Sequence, residues 1–68
     1  MIVTLIRPRS PQTRWLLAPE DGSAPELLAL GLSEALTLEM VMKGEDAARF
    51  HARRSGDGWD ILRRVRDS

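Results

Sequence analysis

Two short apolar runs open the chain, and each is typical of a β-strand. MIVTLIR, residues 1–7, is rich in β-branched side chains and too short for a helix that must end before Pro8. Pro8 and Pro11 cannot donate ladder hydrogen bonds, so they predict a loop. The second run is TRWLLA, residues 13–18. Together the two runs predict an antiparallel pair of strands joined by a short connection.

The next segment carries the signals of a helix N-terminus. Ser23 and Glu26 stand three residues apart, as in a capping box, and Pro25 is near the first helical turn. Leucines then form an apolar surface broad enough to cover a sheet. Gly31 lies inside this pattern and weakens a helix by about 1 kcal/mol relative to alanine. We expect a helix over residues 24–35.

The hydrophobic period changes over residues 36–43. Apolar side chains occupy the even positions and mostly polar side chains the odd positions, as in a half-buried strand. Leu, Glu and Met also favour helices, so a helix that continues to Gly44 is the alternative. We expect a strand here.

The C-terminal third of the chain predicts a β-hairpin. Apolar side chains alternate with Arg49, His51 and Arg53 over residues 48–53. After the loop SGDG at residues 55–58, Trp59, Ile61 and Val65 alternate with Asp60, Leu62, Arg64 and Arg66. The complete prediction is an α+β fold with the order β-β-α-β-β-β. One helix packs on one face of an antiparallel sheet of four to five strands, in a single domain over residues 1–68.

Composition agrees with a small folded domain. The chain is 43% hydrophobic and 29% charged, and at 68 residues we expect it to bury about 60% of the surface that its unfolded form exposes. It contains no cysteine, so neither a disulfide nor a thiolate ligand is available. The opening apolar run is too short for a membrane span and lacks the basic start of a signal peptide. We therefore expect a cytoplasmic protein that makes no contact with membranes.

The formal net charge is zero, but the charges are segregated along the chain. Residues 1–19 carry +3, residues 20–46 carry −6 and residues 47–68 carry +3. If these segments occupied different sides of the fold, the molecule would have an acidic pole and a basic pole.

The sequence offers little material for catalysis or for metal binding. His51 is the only histidine, and no nucleophile, base and orienting group occur in a known catalytic spacing. One histidine without cysteine cannot form a closed zinc site in a monomer. Asp57 and Asp60 are too few for a calcium loop. We expect no enzymatic activity, no catalytic residue, no metal and no cofactor.

The basic hairpin is the strongest candidate for a binding surface. If the alternation is regular, the face opposite Phe50 and Trp59 carries five cations: Arg49, His51, Arg53, Arg64 and Arg66. Leu62 is an apolar residue on the same face, and an apolar centre with an arginine rim is typical of protein contacts. The acidic side around the predicted helix is the second candidate surface, with Glu26 and Glu34 in the helix and Glu39 in the strand predicted after it.

Three uses of these surfaces stay open. The arginines can be solvated or paired within the molecule, can contact a protein, or can bind nucleic acid phosphates. We expect a non-catalytic protein-binding module or inhibitor, of the kind that phages and small accessory genes encode against host machinery. The alternatives are a nucleic-acid-binding protein, or a structural homodimer in which opposite poles or strand edges of two copies meet. No family resemblance is evident in the sequence.

Overall fold

The computed structural model describes residues 1–9 and 14–66, so the predicted loop at Pro11 lies outside the described part of the chain. Within these ranges the elements are β1 (Ile2–Ile6), β2 (Leu16–Pro19), β3 (Glu26–Leu27), α1 (Leu32–Met42), β4 (Ala47–Ser55) and β5 (Gly58–Arg64). The strands form one antiparallel sheet in the order β3-β2-β1-β4-β5. This confirms the α+β class. The order along the chain is β-β-β-α-β-β, because the helix starts later than predicted and a third strand precedes it.

The core lies between one face of the sheet and α1. Directly paired residues in an antiparallel sheet point to the same side, and Leu5 pairs with Leu17 from β2 and with Ala48 from β4. All three are buried, as are Phe50 in β4 and Leu38 in α1. The predicted antiparallel pairing of the first two strands is therefore confirmed.

The predicted helix over residues 24–35 is wrong, because its capping signals are used elsewhere. The backbone N–H of Ser23 donates to Asp21 Oδ1 at 2.8 Å, which makes a local turn instead of a helix cap. Glu26 lies in β3 and pairs with Leu17 of β2. Gly31, expected inside the helix, is its N-cap residue and has extended φ and ψ angles of −70° and 165°.

The predicted strand over residues 36–43 is also wrong, and the alternative of a helix is correct. Helix α1 covers Leu32–Met42, where the intrinsic preference of Leu, Glu and Met for helix prevails over the period-two alternation. The helix ends where Lys43 adopts a left-handed conformation with φ of 54°, followed by Gly44 with φ of 82°. A glycine in this position is a common helix stop, because it adopts a positive φ without steric cost.

The hairpin of β4 and β5 confirms the prediction, with a tighter turn and one irregularity. Ser55 pairs with Gly58, so the turn consists of Gly56 and Asp57, and Gly56 has the positive φ of 58° that primed hairpin turns require. Between the pairs His51–Arg63 and Ala52–Ile61 the register shifts by one residue, which leaves Leu62 without a partner. The shift reverses the sides to which the following residues of β5 point.

Two edges of the sheet approach each other over the core. Glu26 belongs to the edge strand β3, yet its carboxylate accepts hydrogen bonds from Arg54 of β4 and from Trp59 of the other edge strand, β5. The sheet therefore curls, and α1 packs into its concave side through Leu38 and Met42.

Candidate functional site

Three large apolar side chains of α1 face solvent. Leu32, Leu36 and Met40 are 79%, 57% and 78% exposed. They are spaced four residues apart, so they follow one row along the helix surface. We call these three residues the stripe. It lies on the side of α1 opposite Leu38 and Met42, which are buried against the sheet.

The stripe exists because α1 is apolar on both sides. Only one side can pack into the concave sheet, and the helix is held in that orientation by contacts at its C-terminal half. Arg7, next to the end of β1, forms an ion pair with Glu39 at 3.1 Å. Arg64 of β5 donates to the carbonyl oxygen of Val41 at 2.9 Å and forms an ion pair with Glu45. These contacts hold the stripe outward.

A hollow of about 630 Å³ adjoins the N-terminal end of the stripe. Its lining includes Leu32 and Ala35 of α1 and the buried residues Trp15 and Leu28. Arg14 and Glu39 supply polar groups at its walls. The exposed apolar surface of the helix therefore continues into a concave region.

The hairpin of β4 and β5 differs from the stripe, because most of its exposed arginines already have a carboxylate partner within the molecule. Arg49 contacts Glu20 through a two-pronged ion pair, with Nε–Oε2 and Nη2–Oε1 distances of 2.6 and 3.0 Å. Arg53 pairs with Asp60 across the hairpin at 3.3 Å. Arg54 pairs with Glu26 at 2.6 Å, and its guanidinium lies 4.5 Å from the centre of the Trp59 ring.

Arg64 does not lie on the predicted basic face. It pairs in register with Phe50, whose side chain is in the core, and it reaches the carbonyl of Val41 in the helix. The register shift at Leu62 is the cause, since it exchanges the two sides of the strand beyond that point. Arg63 takes the place opposite His51. The prediction that Arg49, His51, Arg53, Arg64 and Arg66 share one face is therefore wrong for Arg64.

What remains of the basic face is a small cluster at the end of the hairpin. His51, Arg63 and Arg66 line a hollow of about 490 Å³ together with Arg64 and Val65. Within residues 1–9 and 14–66, His51, Arg63 and Arg66 make no ion pair. Leu62 is 57% exposed, as its position in the register shift allows.

The predicted acidic side does not form either. Glu26 is in β3 and not in the helix, and Glu39 is paired with Arg7. Glu34 is in the first turn of α1, five residues from Glu39 and therefore on a different side of the helix. The three carboxylates are consequently spread over separate parts of the surface.

The predicted acidic pole and basic pole do not form, because ion pairs bring the oppositely charged segments together. Four of them join a carboxylate from residues 20–46 to an arginine from one of the two basic ends: Glu20–Arg49, Glu26–Arg54, Glu39–Arg7 and Glu45–Arg64. Charges that are segregated along the chain are thus interleaved in space.

The partners of three carboxylates lower their pKa values. Hydrogen bonds from Arg49 lower the pKa of Glu20, and hydrogen bonds from Arg54 and Trp59 lower that of Glu26. The hydrogen bonds from Ser23 do the same for the pKa of Asp21. In each case the donors favour the charged form more than desolvation opposes it.

Polar side chains of the described residues are distributed over separate hollows. Within these ranges no group of three or more His, Asp or Glu side chains is close enough to hold a metal ion. A hollow of about 700 Å³ between α1 and β5 has Ser33, Thr37 and Glu34 in its lining, but His51 lines a separate hollow with Arg63. No helix in this part of the chain has the length and apolar character to cross a membrane.

Comparisons with known proteins add no assignment: no family model, no curated protein and no solved structure matches the chain. The stripe was missed at the sequence level because residues 36–43 were interpreted as a strand. Its signal is present in the sequence as large apolar residues at positions 32, 36 and 40, the spacing of one helix row.

Proposed function

We propose that this chain is a non-catalytic protein-binding module and that the stripe on α1 is its contact surface. The observation that carries the proposal is the exposure of Leu32, Leu36 and Met40 next to each other on one side of a helix. Single exposed apolar residues are ordinary, whereas a contiguous apolar patch on a small domain marks an interaction surface.

Burial energetics support this use of the stripe. Removing a Leu or Met side chain from water contributes about 1.5–3 kcal/mol when burial is complete. Three such side chains in one row provide the apolar centre that protein interfaces have, and Met is enriched in such centres. The row also suits helix-in-groove recognition, in which anchors four residues apart enter a groove of the partner.

The state of the hairpin arginines favours protein over nucleic acid as the partner. Arg49, Arg53 and Arg54 have carboxylates within ion-pair distance, so a phosphate would have to displace an existing partner at each of them. The net charge of zero points the same way, since proteins that bind nucleic acids are usually basic.

The test is affinity capture with a matched pair of variants. Leu36 and Leu62 are each 57% exposed, but only Leu36 belongs to the stripe. We expect Leu36→Glu to abolish capture of a specific protein from a nuclease-treated lysate of cells that also express the untagged chain, and Leu62→Glu to leave it unchanged. In solutions dilute enough for the wild type to be monomeric, both variants should retain its circular dichroism spectrum and melting temperature.

Two results would contradict the proposal. Capture that survives Leu36→Glu and is lost in Leu62→Glu would move the contact surface to the hairpin. Binding that disappears after nuclease treatment of the wild-type sample would indicate nucleic acid as the partner.

A further inference from the structure

We infer that the partner which covers the stripe is a second copy of this chain, in a two-fold symmetric, antiparallel pairing of α1 with α1. The inference rests on the proposed function, because it names the occupant of the same surface. This dimer differs from one held together by an acidic and a basic pole. Ion pairs within the molecule already join the acidic segment to the basic ends, so such poles do not form.

The stripe has the symmetry that such a contact needs. In a two-fold interface the same patch of both copies must be complementary to itself. Leu32 and Met40 lie four residues before and after Leu36, so they are equally distant from it along the helix. A two-fold axis close to Leu36 therefore brings Leu32 of each copy to the same height as Met40 of the other.

Helix packing rules give this contact a definite geometry. The stripe is itself an i, i+4 ridge, and two such ridges interdigitate when the helices cross at about 50°. Ser33 lies beside Leu32 on the exposed side and is small, so it leaves a notch at the height of the incoming Met40. Methionine adapts its flexible thioether chain to such irregular gaps.

Charge does not oppose the pairing. The chain has zero formal net charge, so two copies do not repel each other at long range. Glu39, beside the stripe, is already neutralised by Arg7. Lys43 follows the last turn, and the two-fold relation places it at the height of Ala29 and not of another cation. Antiparallel helices also oppose their dipoles favourably.

The size of the exposed surface is consistent with a partner. A globular monomer of this mass is expected to expose about 4300 Å², whereas this 7.6-kDa chain exposes 5053 Å². A standard interface takes roughly 800 Å² from each partner, which is more than three side chains provide. Since the stripe is only the centre of such a contact, we expect a dissociation constant in the range of about 1–100 µM.

Sedimentation equilibrium between about 1 and 500 µM protein, a span around the affinity expected for this contact, tests the inference. We expect a monomer–dimer equilibrium for the wild type and for Leu62→Glu, and a monomer at every concentration for Leu36→Glu. A wild type that stays monomeric, or a dimer that survives Leu36→Glu, would overturn it.

Cross-linking tests the antiparallel arrangement directly, because the chain has no cysteine to interfere. A mixture of Leu32→Cys and Met40→Cys chains should cross-link with a short bismaleimide to the mixed dimer several-fold faster than either variant does with itself. Equal rates for mixed and unmixed pairs would contradict the arrangement.

The two proposals fail separately. If the wild type is monomeric but Leu36→Glu still abolishes capture of a different protein, the second copy is wrong and the binding module stands. If the wild type is monomeric and capture is insensitive to Leu36→Glu, both are wrong.

Discussion

Helix α1 and the hairpin of β4 and β5 both expose side chains that are unusual for a surface, but they do so differently. The hairpin exposes arginines, and most of them meet carboxylates of the same molecule, as Arg49 meets Glu20. The helix exposes apolar side chains, and the described structure places nothing over Leu36 or Met40.

The hairpin surface has its charges paired within the molecule, whereas the helix surface has apolar side chains that remain in contact with water. An exposed ion pair is stable in water and typically contributes between 0 and about 1 kcal/mol. An exposed apolar row, in contrast, gains free energy whenever another surface removes it from water. A cluster of charged residues in a sequence is therefore weaker evidence for a binding surface than a row of apolar side chains exposed to solvent.

The largest expected effect sharpens the contrast within the helix. Leu38→Ala should destabilise the fold by about 2–5 kcal/mol, because Leu38 is buried and its loss leaves a cavity. Leu36→Ala, two residues away on the exposed side, should change stability by less than about 0.5 kcal/mol. Urea denaturation of dilute protein, at a concentration where it is monomeric, measures both.

A small domain of this size has a total stability of only about 3–10 kcal/mol, so Leu38→Ala can unfold outright. Leu38→Met conserves volume and should remain folded with a loss below about 1.5 kcal/mol. Equal effects of Leu36→Ala and Leu38→Ala would mean that the two sides of the helix are not distinct, and the comparison would collapse.

How far each region could be predicted follows from how local its determinants are. The hairpin was predicted correctly because its alternation and its turn at Gly56 are local properties of the sequence. The helix was misplaced because Ser23 and Glu26 resemble a cap locally but bind other groups in the fold. The partners of Glu26, Arg54 and Trp59, are 28 and 33 residues away in the sequence, and no local pattern reveals such contacts.

The same reasoning applies to the candidate site. The position of Arg64 depended on a single-residue register shift at Leu62, which the sequence does not announce. The stripe could have been found, because its spacing follows directly once residues 32–42 are assigned to a helix. Which side of that helix the sheet covers is decided by tertiary contacts such as Arg7–Glu39.

We expect an intermediate effect on stability at the contact between the hairpin and α1. Arg64 donates to the carbonyl of Val41 in the last turn of α1, so Arg64→Ala removes a charged hydrogen bond from the helix C-terminus. We expect a loss of about 1–2 kcal/mol in the free energy of unfolding. Chemical denaturation followed by the helix signal in circular dichroism measures it.

Arg63→Ala is the matched control, because the neighbouring arginine points to the other side of β5 and contacts no helix residue through an ion pair. It should change stability by less than about 0.5 kcal/mol. If Arg63→Ala were the more damaging of the two, the inversion of sides by the register shift would be contradicted.

The smallest expected effect tests whether the carboxylates that neutralise the hairpin contribute to stability. The pKa values of Glu20 and Glu26 lie below their ordinary value of 4.5 in the folded protein, because Arg49 and Arg54 donate hydrogen bonds to them. Below about this pH the unfolded chain binds more protons than the folded chain, so stability falls as the pH decreases through the folded pKa values. At neutral pH both groups are ionised in the folded and in the unfolded chain, so they contribute no pH dependence there. Urea midpoints between pH 7 and pH 3 should therefore be level at first and then fall.

Glu26→Gln should lower the urea midpoint at pH 7 and flatten its fall at acid pH. Glu34→Gln is the control, because it removes a carboxylate that has no ion pair among the described residues, and it should leave both unchanged. An acid limb that is identical in wild type and Glu26→Gln would show that the Glu26 contacts with Arg54 and Trp59 do not hold the curled sheet together, and that the hairpin's charges are as dispensable as its exposed position suggests.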